Sequence, residues 1–240
     1  MLPRILLLIF VAKMALNDAV LAHAQSPKVS ARELFYISTV ERTPGEKVAT
    51  KPLGLRYSIQ KEGLGGRFAE VDPDTVFRTG DHVKLTVEAN DSGYLYIVQQ
   101  GASGKWKVLF PREPIAGGNR IEKNRREEIP RDTYFNVADP AGDEKLFVVL
   151  SREPESDWER LIRSVGGQPG SEPKRVETAS VDDPFIDRAK QSLSARDLVY
   201  EKVSGPSGNE SAGKELAVYI VNVAGKARGR VQAEITLKHR

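Results

Sequence analysis

The chain has 240 residues, a formal net charge of +3 and no cysteine. The missing thiols exclude disulfide bonds, cysteine nucleophiles, zinc–thiolate sites and iron–sulfur clusters, so the core has to provide the stability by packing. Positive and negative residues are interleaved, and this near-neutral balance does not favour nucleic acid as a partner.

The first 24 residues have the pattern of a secretory signal peptide. Arg4 supplies the positive start, residues 5–12 form an apolar core, and Ala22-His23-Ala24 resembles a small-residue cleavage site. The apolar run is far shorter than the ~20 residues that a membrane-spanning helix needs. We therefore expect export to the periplasm or the exterior, cleavage near Ala24 and Gln25, and no transmembrane span after cleavage.

Alternating apolar and polar residues predict half-buried strands in the N-terminal half. A leader at residues 25–52 contains a predicted strand at residues 34–40, and a second strand begins at residue 53. The clearest strand covers residues 82–89, where one face carries Val83, Leu85, Val87 and Ala89.

Residues 94–98 and 145–151 are apolar on both faces, which is typical of central strands covered on both sides. A further strand is predicted at residues 106–110 and a short one at residues 134–137. Residues 112–132, rich in glycine and charge, are predicted to be irregular.

The period then changes to that of a helix, because Trp158, Leu161, Ile162 and Val165 recur at helical spacing. We assign residues 155–182 to this helix and a flexible linker, and residues 183–240 to a second helix and three strands that complete the main domain. The predicted fold is an all-β, two-sheet sandwich, immunoglobulin-like in general architecture, with one or two short peripheral helices.

Four motifs, taken in order, resemble the bacterial family described as domain of unknown function 4384. The resemblance spans about residues 53–154 and is carried by Phe77-Arg78-Thr79-Gly80-Asp81, Gly93-Tyr94-Leu95-Tyr96, Leu109-Phe110-Pro111 and the segment 142–151. It implies an envelope or secreted protein, in a family whose domain stands alone or is joined to kinase or protease-like domains. The family has no settled activity, so the resemblance implies no catalytic residue.

Metal-binding patterns are weak. The three histidines lack the spacing of metal ligands. Acidic residues beside turns could supply calcium ligands if their loops converge, and turn chemistry is the other interpretation; these are Asp72, Asp74, Asp81 and Glu144. We predict no metal and no other cofactor.

The densest basic cluster lies within residues 112–132 and consists of Arg120, Lys123, Arg125 and Arg126. Because glutamates are interleaved with these residues, the cluster is either a solvated loop or a site for an anionic partner. Binding residues concentrate on loops held by a rigid scaffold, so this segment is the predicted contact surface.

Three aromatic residues allow two interpretations. Tyr94, Tyr96 and Trp106 alternate along neighbouring strands, a pattern typical of a core. If one sheet face were open, the same rings could instead form a platform for a sugar or a peptide.

No constellation of catalytic residues stands out in the sequence, so the protein is predicted not to be an enzyme. We expect an exported module that binds a protein or another envelope component. The alternatives are a carbohydrate-binding module and a hydrolase that uses two carboxylates about 5–10 Å apart.

Overall fold

A computed structural model describes residues 29–37, 51–104, 106–111, 118–166, 197–206, 214–224 and 229–240. The signal-like residues 1–24 and the helix predicted after residue 183 lie outside these ranges. Within them the protein is an all-β sandwich of two sheets with two short helices, the fold class that the alternating patterns predict.

The described elements follow one another in this order: α1 (Ala31–Tyr36), β1 (Leu53–Glu62), β2 (Phe68–Val71), β3 (Val76–Phe77), β4 (His82–Ala89), β5 (Gly93–Gln100), β6 (Trp106–Phe110), β7 (Arg120–Ile121), β8 (Arg126–Ile129), β9 (Phe135–Asn136), β10 (Glu144–Ser151), α2 (Ser156–Gly166), β11 (Leu198–Pro206), β12 (Lys214–Asn222) and β13 (Arg230–His239). A 3-10 turn at Leu64–Gly66 connects β1 to β2. No helix in the described ranges is long and apolar enough to cross a membrane.

Sheet I has the order β11-β12-β1-β4-β8, with β2 also paired to β1 and β9 to β4. Sheet II has the order β3-β13-β10-β5-β6, with β7 also paired to β5. The C-terminal strands therefore lie in both sheets, and β12 has the central position that its apolar pattern requires.

The main core lies between the two sheets. It is formed by side chains that share one face of each strand, for example Val83, Leu85, Val87 and Ala89 of β4 and Val231, Ala233, Ile235 and Leu237 of β13, all of which are buried. Period-two alternation therefore identifies the inward faces of these strands correctly.

Helices cover the outer faces. Trp158 and Ile162 of α2 pack on sheet II against a cluster that contains Tyr96, Val98, Trp106, Phe147 and Val149. On sheet I, Ala31 and Phe35 of α1 pack against Ala217, Tyr219 and Val221 of β12. This burial explains why β5, β10 and β12 are apolar on both faces.

The prediction of a strand at residues 34–40 is wrong for the described part of this segment, because Ala31–Tyr36 is a helix. Ser30 and Glu33 form a capping box: the Ser30 side chain accepts from the Glu33 backbone N–H, and the Glu33 side chain accepts from the Ser30 N–H. These bonds satisfy two donors at the helix start, and Ala31 and Phe35, four residues apart, then face the sheet together.

The prediction that residues 112–132 are irregular is also wrong for the described part of this segment, which contains β7 and β8. Ile121 and Ile129 are buried in the main core and anchor these short strands. Buried Glu127 interrupts the apolar alternation of β8, which is why the strand is not evident in the sequence.

Candidate functional site

A short corner at residues 122–125 carries the chain from one sheet to the other. Before it β7 pairs with β5, and after it β8 pairs with β4. The backbone N–H of Asn124 donates to the Ala89 carbonyl at 2.7 Å, and the Lys123 N–H donates to Ser92 Oγ at 3.0 Å. Asn124 has a φ of 57°, a left-handed conformation that asparagine tolerates better than most residues. The corner is therefore fixed to the β4–β5 turn.

Three cations approach this turn from separate elements. We call Lys51, Lys123 and Arg152 the basic end. Lys51 Nζ donates to the Asn90 carbonyl at 3.2 Å, and Arg152 Nε donates to Asp91 Oδ2 at 3.2 Å. A second donor of Arg152, Nη2, bonds the Lys51 carbonyl, which links the start of β1 to the end of β10.

The pKa of Lys51 reflects the positive charges of the basic end. Its pKa is lowered, first by partial burial and then by the charge of Lys123; Arg152 adds to the lowering, whereas Asp91 opposes it. Both burial and like charge disfavour the protonated amine. The field around Lys51 is thus net positive despite the nearby carboxylate.

The four basic residues predicted from the sequence are not equivalent. Arg120 pairs with Glu122 at 2.8 Å. Arg125 lies 3.5 Å from Glu127, and Arg126 lies 3.4 Å from Glu88. Lys123 makes no ion pair with any residue in the described part of the chain. The positive charge of Lys123 is one of those that lower the pKa of Lys51.

Sequence reasoning missed Lys51 and Arg152. They are far apart in the sequence, at the start of β1 and directly after β10, and no local pattern connects either of them to Lys123. Only the pairing of β1 with β4 and of β10 with β5 brings them to the same turn.

The predicted aromatic platform is not exposed. Tyr96 and Trp106 are 0% and 4% exposed, and both are packed under α2 in the outer core of sheet II. The Tyr96 hydroxyl accepts from the Glu155 backbone N–H at 2.9 Å, which ties it to the start of the helix. Tyr94 is half-buried and lies opposite Arg120 in the β5–β7 pairing. The core interpretation is the correct one for Tyr96 and Trp106.

The calcium candidates do not converge. Asp72 and Asp74 bind Lys202 at 2.6 and 2.7 Å, Asp81 binds Lys61 at 2.7 Å, and Glu144 accepts from the Gln99 side chain. Within the described ranges no three His, Asp or Glu side chains come together as a metal site would require. Asp72 and Asp81 instead accept backbone N–H bonds from Asp74 and Arg78, as turn carboxylates do.

A second charged cluster is buried on the outer face of sheet I. Arg56, only 1% exposed, donates to Glu70 Oε1 at 2.9 Å and to Glu215 Oε1 at 3.1 Å. Burial acts to raise the pKa of Glu70, but hydrogen bonds from Arg56 and from the Leu216 N–H outweigh it and lower the pKa. Burial, followed by the bond to Glu215, raises the pKa of Tyr219. Each of these charges therefore lies beside a charge of opposite sign, and removing one partner would leave a buried charge exposed to its desolvation cost.

Residues 76–154 match the family model described as Domain of unknown function (DUF4384). The resemblance expected for residues 53–154 is thus confirmed, over a segment that starts later. The match includes the corner at residues 122–125 and Arg152. It begins at residue 76 and therefore does not include Lys51. No curated protein and no solved structure gives a significant match to the chain.

Proposed function

We propose that the protein is an exported, non-catalytic module that binds an acidic segment of an envelope protein at its basic end. The observation that supports this proposal is the convergence of Lys51, Lys123 and Arg152 on one turn, where Asp91 pairs with Arg152. Glu122 lies at the same corner, but it is engaged by Arg120.

An anionic partner would relieve repulsion that is already present in the free protein. Lys123 would gain an opposite charge, and Lys51 would keep its proton more readily. Exposed ion pairs contribute only about 0.2–1 kcal/mol each, so affinity has to come from several contacts and has to fall as salt rises.

The backbone of the site is fixed before binding. The corner is held by bonds to Ala89 and Ser92, and the guanidinium of Arg152 bonds both Asp91 and the Lys51 carbonyl. A rigid corner loses little conformational entropy when a partner docks, which favours binding.

The hydrolase alternative has less support. The acids identified in the sequence form ion pairs or hydrogen bonds, and Glu70 and Glu215 flank a buried arginine. Acids that are engaged in this way do not favour the acid-and-nucleophile pair of such a hydrolase, so we propose a non-catalytic module.

The proposal is tested by crosslinking the tagged full chain in the envelope of the bacterium that encodes it, followed by mass spectrometry. We expect a reproducible protein partner, crosslinked through an acidic segment, that is lost with Lys123→Glu and in high salt. Lys107→Glu is the matched control, because Lys107 is exposed on β6 at the far end of β5. N-terminal sequencing of the recovered protein tests cleavage before Gln25.

Capture that is indifferent both to Lys123→Glu and to salt would contradict the basic end as the site. A chain that keeps residues 1–24 and stays in the cytoplasm would contradict export. Circular dichroism of both variants separates a loss of binding from a loss of folding.

A further inference from the structure

An aromatic patch lies at the opposite end of β1 from the basic end. It consists of Phe68, His82 and Tyr134 on the outer face of sheet I. Tyr134 is stacked on His82 with ring centroids 3.7 Å apart and planes 20° apart, and the Phe68 ring lies 6.3 Å from Tyr134. Tyr134 is 41% exposed, so part of its ring is open to solvent.

The patch is held from below by the sheet. His82 Nδ1 lies 2.5 Å from Glu62 Oε2, and the two residues are on the paired strands β4 and β1. Phe68 is opposite Glu62 in the β1–β2 pairing. The imidazole is therefore fixed by a hydrogen bond on one side and by ring stacking on the other, which gives Tyr134 a rigid support.

Polar groups surround the rings. Lys84 Nζ lies 5.0 Å from the Phe68 ring centroid and binds Glu128 Oε2 at 2.9 Å. Glu62 and Glu128 keep oxygen atoms that can accept further hydrogen bonds, because a carboxylate has about four acceptor sites. The margin of the patch thus offers acceptors and a donor beside an apolar surface.

We propose that the aromatic patch binds a pyranose unit of a glycan, with the sugar stacked on Tyr134. A pyranose has a flat C–H face that packs on an aromatic ring and a rim of hydroxyl groups that hydrogen-bond to carboxylate and ammonium groups. The patch has the same two parts, a ring surface and a polar margin.

Two other ligands fit this surface less well. An anionic lipid surface would meet Glu62 and Glu128 beside Lys84, so the patch offers no net attraction to it. An apolar peptide would leave the charged margin unpaired. The aromatic patch shares no residue with the basic end, so the two sites are independent.

The test is an NMR titration of the folded protein with chitohexaose and, separately, with cellohexaose. We expect amide shifts confined to residues around Phe68, His82 and Tyr134. Tyr134→Ala is expected to weaken binding about tenfold, whereas Tyr134→Phe keeps the ring and stays within about threefold of the wild type. Tyr200→Ala is the matched control, because Tyr200 is 56% exposed on β11, away from the patch, and should leave binding unchanged.

The proposal is overturned if neither sugar shifts these residues at millimolar concentration, or if Tyr200→Ala weakens binding as much as Tyr134→Ala. Binding to phosphatidylglycerol vesicles that depends on Tyr134, without sugar binding, would assign the patch to a lipid surface instead. Thermal melting of the alanine variant, with Tyr134→Phe as the second variant, separates lost binding from lost folding.

Discussion

The Asn90 side chain accepts a hydrogen bond from the backbone N–H of Gly54 at 2.7 Å. Its amide nitrogen donates to the Phe35 carbonyl at 3.2 Å and to the Pro52 carbonyl at 3.0 Å. Asn90 is fully buried, so one side chain joins α1, β1 and the end of β4. A residue that the sequence presents as part of a turn thus holds the N-terminal helix on sheet I.

We predict that Asn90→Ala lowers the free energy of unfolding by about 2–3 kcal/mol, because buried backbone groups lose their partners. Asn90→Asp should be more destabilising, since a carboxylate would face two carbonyl oxygens. Urea unfolding measures both effects. Asn136→Ala on the exposed side of β9 is the control and should stay within about 0.5 kcal/mol of the wild type; equal effects at both positions would contradict this role of Asn90.

The buried arginine supports a second prediction. Arg56→Leu removes the buried counter-charge of Glu70 and leaves Glu215 with the partly exposed Arg32, so we expect a loss of about 3–5 kcal/mol in unfolding free energy. Arg125→Leu, at a side chain that is 68% exposed, should change it by less than about 0.5 kcal/mol. Chemical denaturation compares the two variants, and a mild effect of Arg56→Leu would show that the acids find other partners.

Gly93 packs too closely for a side chain. A Cβ at this position would lie 2.5 Å from the Ser151 carbonyl oxygen on β10, so Gly93→Ala has to shift the sheet backbone. We predict a loss of about 1–3 kcal/mol. A Cβ at Gly205 meets no atom of the described residues within 4 Å, so Gly205→Ala should leave the melting temperature unchanged or slightly higher.

Because the cations of the basic end repel one another, removing one of their charges should stabilise the fold. The pKa of Lys51 is lowered in the folded state, so its charge destabilises the fold below that pKa, and the effect disappears as the pH rises toward its unfolded value. Lys123→Gln removes part of this repulsion and should raise the unfolding free energy by a few tenths of a kcal/mol at neutral pH. The gain should disappear in 1 M salt, where charges are screened within about 3 Å; a gain that persists there would have another cause.

Acid should weaken the contact between β11 and the loop before β3. Hydrogen bonds from Lys202 and Lys238 lower the pKa of Asp74 to about 2. A carboxyl with a depressed pKa stabilises the fold above its unfolded value of about 3.9 and loses this effect as the pH falls toward 2. Asp74→Asn should therefore melt below the wild type at pH 6, and the difference should shrink at pH 3. Asp132→Asn, at an exposed acid with no ion pair in the described part of the chain, is the control.

The sequence predicts strands well because alternation is a local property. The inward face of β4 follows directly from period two, and the apolar runs of β5 and β10 correctly indicate cover on both sides. Which elements cover the outer faces of these strands could be predicted only in part. The helix α2 was expected from its apolar stripe, but its position over Tyr96 and Trp106 depends on tertiary packing.

The sequence analysis did not predict the helix α1 or the basic end, for different physical reasons. The helix α1 was missed although the capping pair Ser30 and Glu33 is present in the sequence, because apolar residues further on favoured a strand. The basic end could not be predicted, since Lys51 and Arg152 become neighbours of Lys123 only through strand pairing.

The length of β1 gives the two proposed surfaces a fixed separation. The strand begins beside Lys51 and ends at Glu62, and its ten residues extend about 30 Å at roughly 3.3 Å per residue. The two surfaces share no residue, so a partner at one end leaves the sugar contacts at the other end free. The sandwich would then act as a rigid spacer that keeps a polysaccharide and a protein at a constant distance.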